Sequence, residues 1–239
     1  MQMVHIRVGK LELAVEPGAA AAQAVPVSSR WRAALERSSS SAAPSPDQEA
    51  DRLIEALTQA SDTTSILRRE VLYERAANAP LDEALLVVMA WGLGTTGQWN
   101  FLSTNTRRSL QGRYEDLQRT RAAIEEGTGL DGLWKVHFSG APPGLGSVSF
   151  GSKWLHAVGY RRVSGGAQPL VYDQNVHRGL TLGAQLDGFA EAKGVPRQSW
   201  LRWCELAHEA AEDAGPGVSA ADVELAVFEY GKTVGSARP

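Results

Sequence analysis

The sequence predicts a mainly α protein that begins with a small β-hairpin. Apolar residues recur at three- and four-residue spacing through most of the chain after residue 50, helix-opening and helix-closing signals bracket those runs, and period-two alternation is confined to the first 15 residues. The chain has 239 residues, 43% of them hydrophobic, which is enough to bury a sizeable core. No run approaches the roughly 18 apolar residues of a membrane span. The longest, 84–94, is too short, and the start carries no basic-then-apolar export signal, so a cytoplasmic protein without a membrane partner is expected.

Val4, Ile6 and Val8, then Leu11, Leu13 and Val15, alternate around Gly9-Lys10 and predict the hairpin. A short helix carrying Trp31 and Leu35 follows Ser28-Ser29, and SSSSAAPSPD (38–47) reads as a low-complexity linker. Residues 1–48 are therefore expected to form a peripheral extension and linker, with the helical domain over 49–239. Within that domain, Leu53, Ile54 and Leu57 predict one helix, and Ile66, Leu67, Val71 and Leu72 another. Pro80-Leu81-Asp82-Glu83 opens a third, apolar on all sides over 84–90 and hence buried, which Gly92, Gly94 and Gly97 end. Further helices are predicted at 104–126, 130–138, 147–159, 169–181, 196–213 and 219–232, with no strand after residue 15.

The net charge of −3 speaks against a protein that coats nucleic acid by bulk charge, but the charge is uneven. Between Thr104 and Arg178 ten Lys and Arg face six acids; between Cys204 and Glu229 there are seven acids and no Lys or Arg. Two readings fit: solvated helix faces, or a basic working face backed by an acidic outer helix pair. The single cysteine, Cys204, excludes an internal disulfide, a cysteine zinc cage and a cysteine-ligated iron–sulfur cluster, and its apolar helical surroundings predict a buried, inert thiol.

The chemistry concentrates in residues 142–180, PPGLGSVSFGSKWLHAVGYRRVSGGAQPLVYDQNVHRGL. A glycine-rich turn containing Gly144, Gly146 and Gly151 leads into a helix opened by Ser152-Lys153, and amides at such a start bind phosphate well. Asp173 sits between the apolar Pro169–Tyr172 and a helical spacing of Val176 and Leu180, so a plain N-cap explains it. Together, the glycine turn, the lysine and the carboxylate also fit a site that works on a nucleic-acid backbone. His137, His156 and His177 lie nearby without a zinc-motif spacing, so no metal is expected.

VYDQNVHRGL (171–180) resembles the catalytic segment of the helix–hairpin–helix DNA glycosylases, through Asp173, Asn175, Val176, Arg178 and Leu180, and FGSK (150–153) resembles the hairpin end of the 8-oxoguanine glycosylases. Over the longer span the chain is most similar to bacterial proteins of the OGG-like fold, some of which excise hypermodified bases in antiphage defence. It departs from the family pattern at Ser149, where the hairpin usually carries a glycine, and a Pro-Gly-Leu-Gly copy sits earlier, at 143–146. The lack of four cysteines matches the OGG-like branch and not the cluster-bearing one.

The resemblance implies a helix–hairpin–helix glycosylase-like fold and a DNA N-glycosylase with no cofactor and no obligate protein partner, acting on double-stranded DNA that carries a modified base. Asp173 would stabilise the sugar cation or activate water, and Lys153 would attack the sugar or bind a phosphate. Gly146, Ser149, Gly151, Ser152, Asn175, His177 and Arg178 would meet the DNA. Gln98, Trp99 and Asn100 would fill the gap left by the flipped base, with Arg107 and Arg108 on phosphates; core packing for Trp99 and plain solvation for the arginines are the alternatives. Trp99, Trp154 and Tyr160 are the candidates for the wall of the base pocket.

Overall fold

The computed structural model describes residues 3–26, 55, 66–93, 115–139, 147–160, 167–194 and 196–236. The helix around Trp31, the linker at 38–47, the domain boundary at 48 and the helix around Ile54 lie outside the described residues.

Strands β1 (Val4–Val8) and β2 (Leu11–Val15) pair antiparallel, Val4 opposite Val15 and Val8 opposite Leu11. The alternation does what it predicts: Ile6, Val8, Leu11 and Val15 are buried. They belong to the same apolar core as the helices, so the hairpin is not peripheral. Its tip is tied down as well. Gly9 turns with φ +57°, a Cβ there would lie 2.6 Å from the Ala184 carbonyl oxygen, and the Lys10 amide donates to that oxygen at 3.0 Å.

A one-turn helix, α1 (Ala19–Ala22), leads to β3 (Ala24–Pro26), which pairs antiparallel with β4 (Ile66–Arg68). These strands correct the expectation of none after residue 15. Three residues are too few to show alternation, and Ile66 and Leu67 happen to fit a helical spacing with Val71 and Leu72. The helix itself, α2, starts at Arg69 and runs to Asn78.

Helix α3 (Leu81–Leu93) follows Pro80 with Asp82 and Glu83 in its first turn, and residues 84–90 are all buried, as its uniform apolarity predicts. Next come α4 (115–125), α5 (Leu130–Phe138) and α6 (Val148–Gly159). The helix expected over 169–181 is corrected. Residues 167–173 carry no regular secondary structure, and only then follow α7 (Gln174–Arg178) and one π-helical turn (Gly179–Gly183). Two long helices, α8 (Arg197–Ala214) and α9 (Ala220–Ser236), complete the described fold. Among the described residues, no helix is long and apolar enough to cross a membrane.

Two buried acids on α9 join distant parts of the chain. Asp222 accepts from the amides of Gly18 (3.2 Å) and Ala20 (2.8 Å) at the start of α1, and from the amide and hydroxyl of Ser219. Glu224 pairs with Arg69 of α2 at 3.3 Å. Helix α9 also crosses the α7 region at glycines. A Cβ on Gly179 would lie 2.5 Å from the Val227 carbonyl oxygen, and one on Gly231 would overlap the Asn175 carbonyl oxygen.

This contact reverses the usual sign of a glycine substitution in a helix. Alanine normally favours a helix by about 1 kcal/mol over glycine. Gly231→Ala should instead destabilise the fold by about 1–3 kcal/mol, because backbone must move to admit the methyl group. Urea unfolding of the wild type and variant checks this.

Candidate active site

Lys153 lies in the second turn of α6, not its first, because the helix starts at Val148. Its long side chain runs between α3 and α6 through space that Gly92 leaves open: a Cβ on Gly92 would come within 2.8 Å of the lysine Cδ. The ammonium donates to the Ser149 carbonyl oxygen at 3.1 Å and to Asp173 Oδ2 at 2.9 Å, and it lies 5.6 Å from the centre of the Phe150 ring. Only 7% of Lys153 and 8% of Asp173 is exposed, so the pair is buried but not sealed.

Asp173 is delivered by the stretch before it. Leu170, Val171 and Tyr172 are buried, so their backbone groups need partners that no neighbouring strand supplies. Side chains supply several of them. From α8, Trp200 Nε1 donates to the Leu170 carbonyl (2.8 Å), Trp203 Nε1 donates to the Val171 carbonyl (2.8 Å), and Cys204 Sγ accepts the Leu170 amide (3.4 Å). From α6, Ser152 Oγ accepts the Tyr172 amide (2.9 Å) and His156 Nδ1 donates to the Pro169 carbonyl (3.0 Å).

Where the stretch ends, Asp173 caps α7: its Oδ1 accepts the amides of Asn175 (3.0 Å) and Val176 (3.1 Å). The N-cap reading thus accounts for Oδ1, while Oδ2 faces Lys153. Burial alone would raise the Asp173 carboxyl, but Lys153 and the two backbone amides outweigh it and hold the group below its ordinary range. Asp173 is therefore a carboxylate with one oxygen held by backbone amides and the other by the Lys153 ammonium.

A second polar layer lies behind the pair. His156, fully buried, accepts from the Tyr73 hydroxyl at Nε2 (2.9 Å), because its Nδ1 proton is committed to Pro169. Glu224 Oε2 lies 3.7 Å from the same Nε2 and belongs to the buried pair with Arg69. Burial, and after it Arg69, lower the His156 pKa to about 3, so the ring is neutral at physiological pH. Burial raises the Glu224 carboxyl against the opposing pull of Arg69.

The other expected site residues divide. Ser152 and Gly151 are corrected from DNA contacts to internal supports: Ser152 is fully buried on Tyr172, and the Gly151 amide is spent on the Ser147 carbonyl (2.9 Å), inside the helix. Trp154 is corrected from pocket wall to core, since it is fully buried. Tyr160 is half-buried and stacks on Tyr73 with ring centres 3.7 Å apart. Ser149 is half-buried and contributes its carbonyl to Lys153. Asn175, His177 and Arg178 are half-buried on α7, where Arg178 donates to Asn175 Oδ1 at 3.4 Å and His177 Nδ1 lies 3.3 Å from the Tyr172 hydroxyl. Gly146, Gln98, Trp99, Asn100, Arg107 and Arg108 lie outside the described residues.

Arg69, Tyr73 and Glu224 did not stand out in the sequence. Arg69 and Glu224 are 155 positions apart and sit in ordinary-looking helical segments, so only the fold brings them behind the site. Among the described residues there is no group of three or more His, Cys, Asp or Glu placed to hold a metal ion.

The pair makes a definite stability prediction. Asp173→Ala strands Lys153 and uncaps α7, and breaking a buried ion pair from one side costs about 3–5 kcal/mol. Because the folded carboxyl titrates below its unfolded value, the stabilisation is fully present above about pH 4 and is lost as pH falls through the lower folded pKa. Chemical unfolding of wild type and Asp173→Ala between neutral and acid pH should show a constant gap that closes only at the acid end.

Compared with known proteins, residues 18–228 match the family model described as "Putative 8-oxoguanine DNA glycosylase OGG-like protein". No curated protein and no solved structure matches the chain. The match spans the hairpin's exit, the Lys153 helix, the Asp173 cap and most of α9, and on that span the chain belongs to the OGG-like glycosylase family.

Proposed function

We propose that the chain is a DNA N-glycosylase that extrudes a modified base from duplex DNA and cleaves its bond to deoxyribose, with Asp173 and Lys153 as the catalytic residues. The observation that carries this reading is the 2.9 Å contact between a largely buried lysine and a carboxylate fixed by backbone amides. Loss of a base leaves positive charge on the sugar, and a carboxylate held rigidly in a dry site stabilises that charge without having to reorient. Oδ1 is held by α7, so Oδ2 is the oxygen that would face the sugar once the lysine moves aside.

Two routes are open to the same residues. In one, Asp173 orients or deprotonates a water that attacks the sugar. In the other, Lys153 passes its ammonium proton to Asp173, and the freed amine attacks C1′ as the bond to the base breaks and the base leaves with a proton. The sugar ring then opens to a Schiff base, and elimination of the 3′-phosphate breaks the strand. For the base itself, the family description names 8-oxoguanine, while the sequence resemblance adds hypermodified phage bases such as glucosylated hydroxymethylcytosine and an antiviral role. A non-catalytic DNA-binding module is the competing class.

The test incubates the protein with an 8-oxoguanine duplex and, in parallel, with glucosylated phage DNA, and counts abasic sites. Asp173→Asn should lower excision by about a hundredfold or more. Its affinity for the duplex should stay within about threefold of wild type, because phosphate contacts dominate binding. An active Asp173→Asn enzyme would overturn the assignment, and duplex binding without base release would establish the binding module. Borohydride present during the reaction separates the routes: a covalent protein–DNA adduct lost in Lys153→Met marks the amine as nucleophile, and heat-labile abasic sites without an adduct mark water.

A further inference from the structure

Lys153 and Asp173 come from different elements, so beyond their own ion pair their separation depends on the bonds that join those elements. Lys153 stands on α6; Asp173 ends a stretch with no strand beside it. Trp200 and Trp203 hold that stretch from the α8 side. From the α6 side the grip is made by two side chains that flank Lys153 on its own helix, Ser152 and His156. His156 lies one helical turn beyond Lys153, and Pro169 lies four residues before Asp173, so the bond between them spans the site from behind.

A histidine is a costly choice for a fully buried position unless both ring nitrogens are satisfied. Here the demands are specific. The Pro169 carbonyl only accepts, which fixes the proton on Nδ1 and leaves Nε2 as the acceptor for the Tyr73 hydroxyl. Tyr73 is itself held by stacking on Tyr160, and the histidine ring lies roughly parallel to Trp91, with centres 6.1 Å apart. Trp91 precedes Gly92, the glycine that makes room for the lysine stem.

We propose that His156, clamped between Tyr73 and Pro169, is a positioning residue that sets the separation of Lys153 and Asp173 for reaction. The proposal rests on the reading of those two as the reacting pair. His156 touches neither of them through a hydrogen bond of its own and acts through the backbone that delivers the carboxylate. The ring's low proton affinity keeps a single tautomer in place across physiological pH.

The test is single-turnover base excision with the full chain, on whichever of the 8-oxoguanine duplex and glucosylated phage DNA the wild type cleaves. Tyr73→Phe removes one oxygen and keeps the stacked ring. Its rate constant should fall about ten- to a hundredfold, the range expected when reacting groups are misplaced without being removed. The fraction of active molecules and the duplex affinity should match wild type within about twofold, since phosphate contacts are untouched. A merely structural role would do the opposite, lowering the active fraction and the melting temperature while leaving the rate constant of surviving molecules intact; that result overturns the proposal.

His156→Asn and His156→Leu give the second comparison. Asparagine can place an amide N–H near the former Nδ1, so it should recover part of the rate that leucine loses, and equal rates in the two would count against the proposal. An arm independent of activity is the ¹⁵N spectrum of His156, expected to show the neutral Nδ1–H tautomer from pH 5 to pH 8, about the range in which a free histidine titrates. The other tautomer, or a protonated ring, overturns the clamp. If wild-type protein releases no base from either DNA while this tautomer is found, the glycosylase reading has failed and the clamp has not.

Discussion

The arrangement depends on how a buried stretch of backbone, residues 168–172, satisfies its polar groups without a sheet. Every buried amide and carbonyl needs a partner, and here the partners are side chains: Trp200, Trp203, Cys204 and His208 from α8, Ser152 and His156 from α6. The two helices therefore do more than pack. They hold this segment between them so that the residue after it, Asp173, emerges beside Lys153. Tryptophan suits the task because one end of it is core and the other is a donor.

Much of the fold was legible because strong local signals agree with tertiary need. The hairpin, the all-apolar α3 and the paired C-terminal helices follow from alternation, uniform apolarity and caps. The boundaries of α5 and α6 fall within a residue of their expected places. The errors have physical causes. Pro169 to Tyr172 is an apolar run buried on both sides, and such a run has no periodicity that separates helix from strand. The pair β3 and β4 is too short to show any. The meeting of Lys153 with Asp173 was legible through spacing and resemblance, whereas Ser152, a serine at a presumed helix start, looks in the sequence like a phosphate ligand. Its hydroxyl instead serves the backbone of another segment, which no local pattern reveals. Arg69, Tyr73 and Glu224 were invisible for the same reason.

The charge pattern also changes meaning when placed in the fold. Of the seven acids between Cys204 and Glu229, Glu205, Glu209, Glu212, Asp213 and Glu229 are exposed on α8 and α9, in keeping with an acidic outer face. Asp222 and Glu224 are not part of it. They are buried and hold α1 and α2, so the acidic tally mixes solvent-facing charge with structural charge. A net charge of −3 is thus a poor guide to what the chain can bind, because interior acids spend their charge on internal donors.

The bonds from α8 to residues 168–172 connect positions 30 to 40 apart along the chain, and the Arg69–Glu224 pair closes a loop of 155. Contacts of that separation form late, after loop-closure entropy has been overcome. The α8 bonds that hold the backbone before the carboxylate, and the α9 pair behind it, are of this long-range kind. Completion of the proposed site is in this way coupled to completion of the fold.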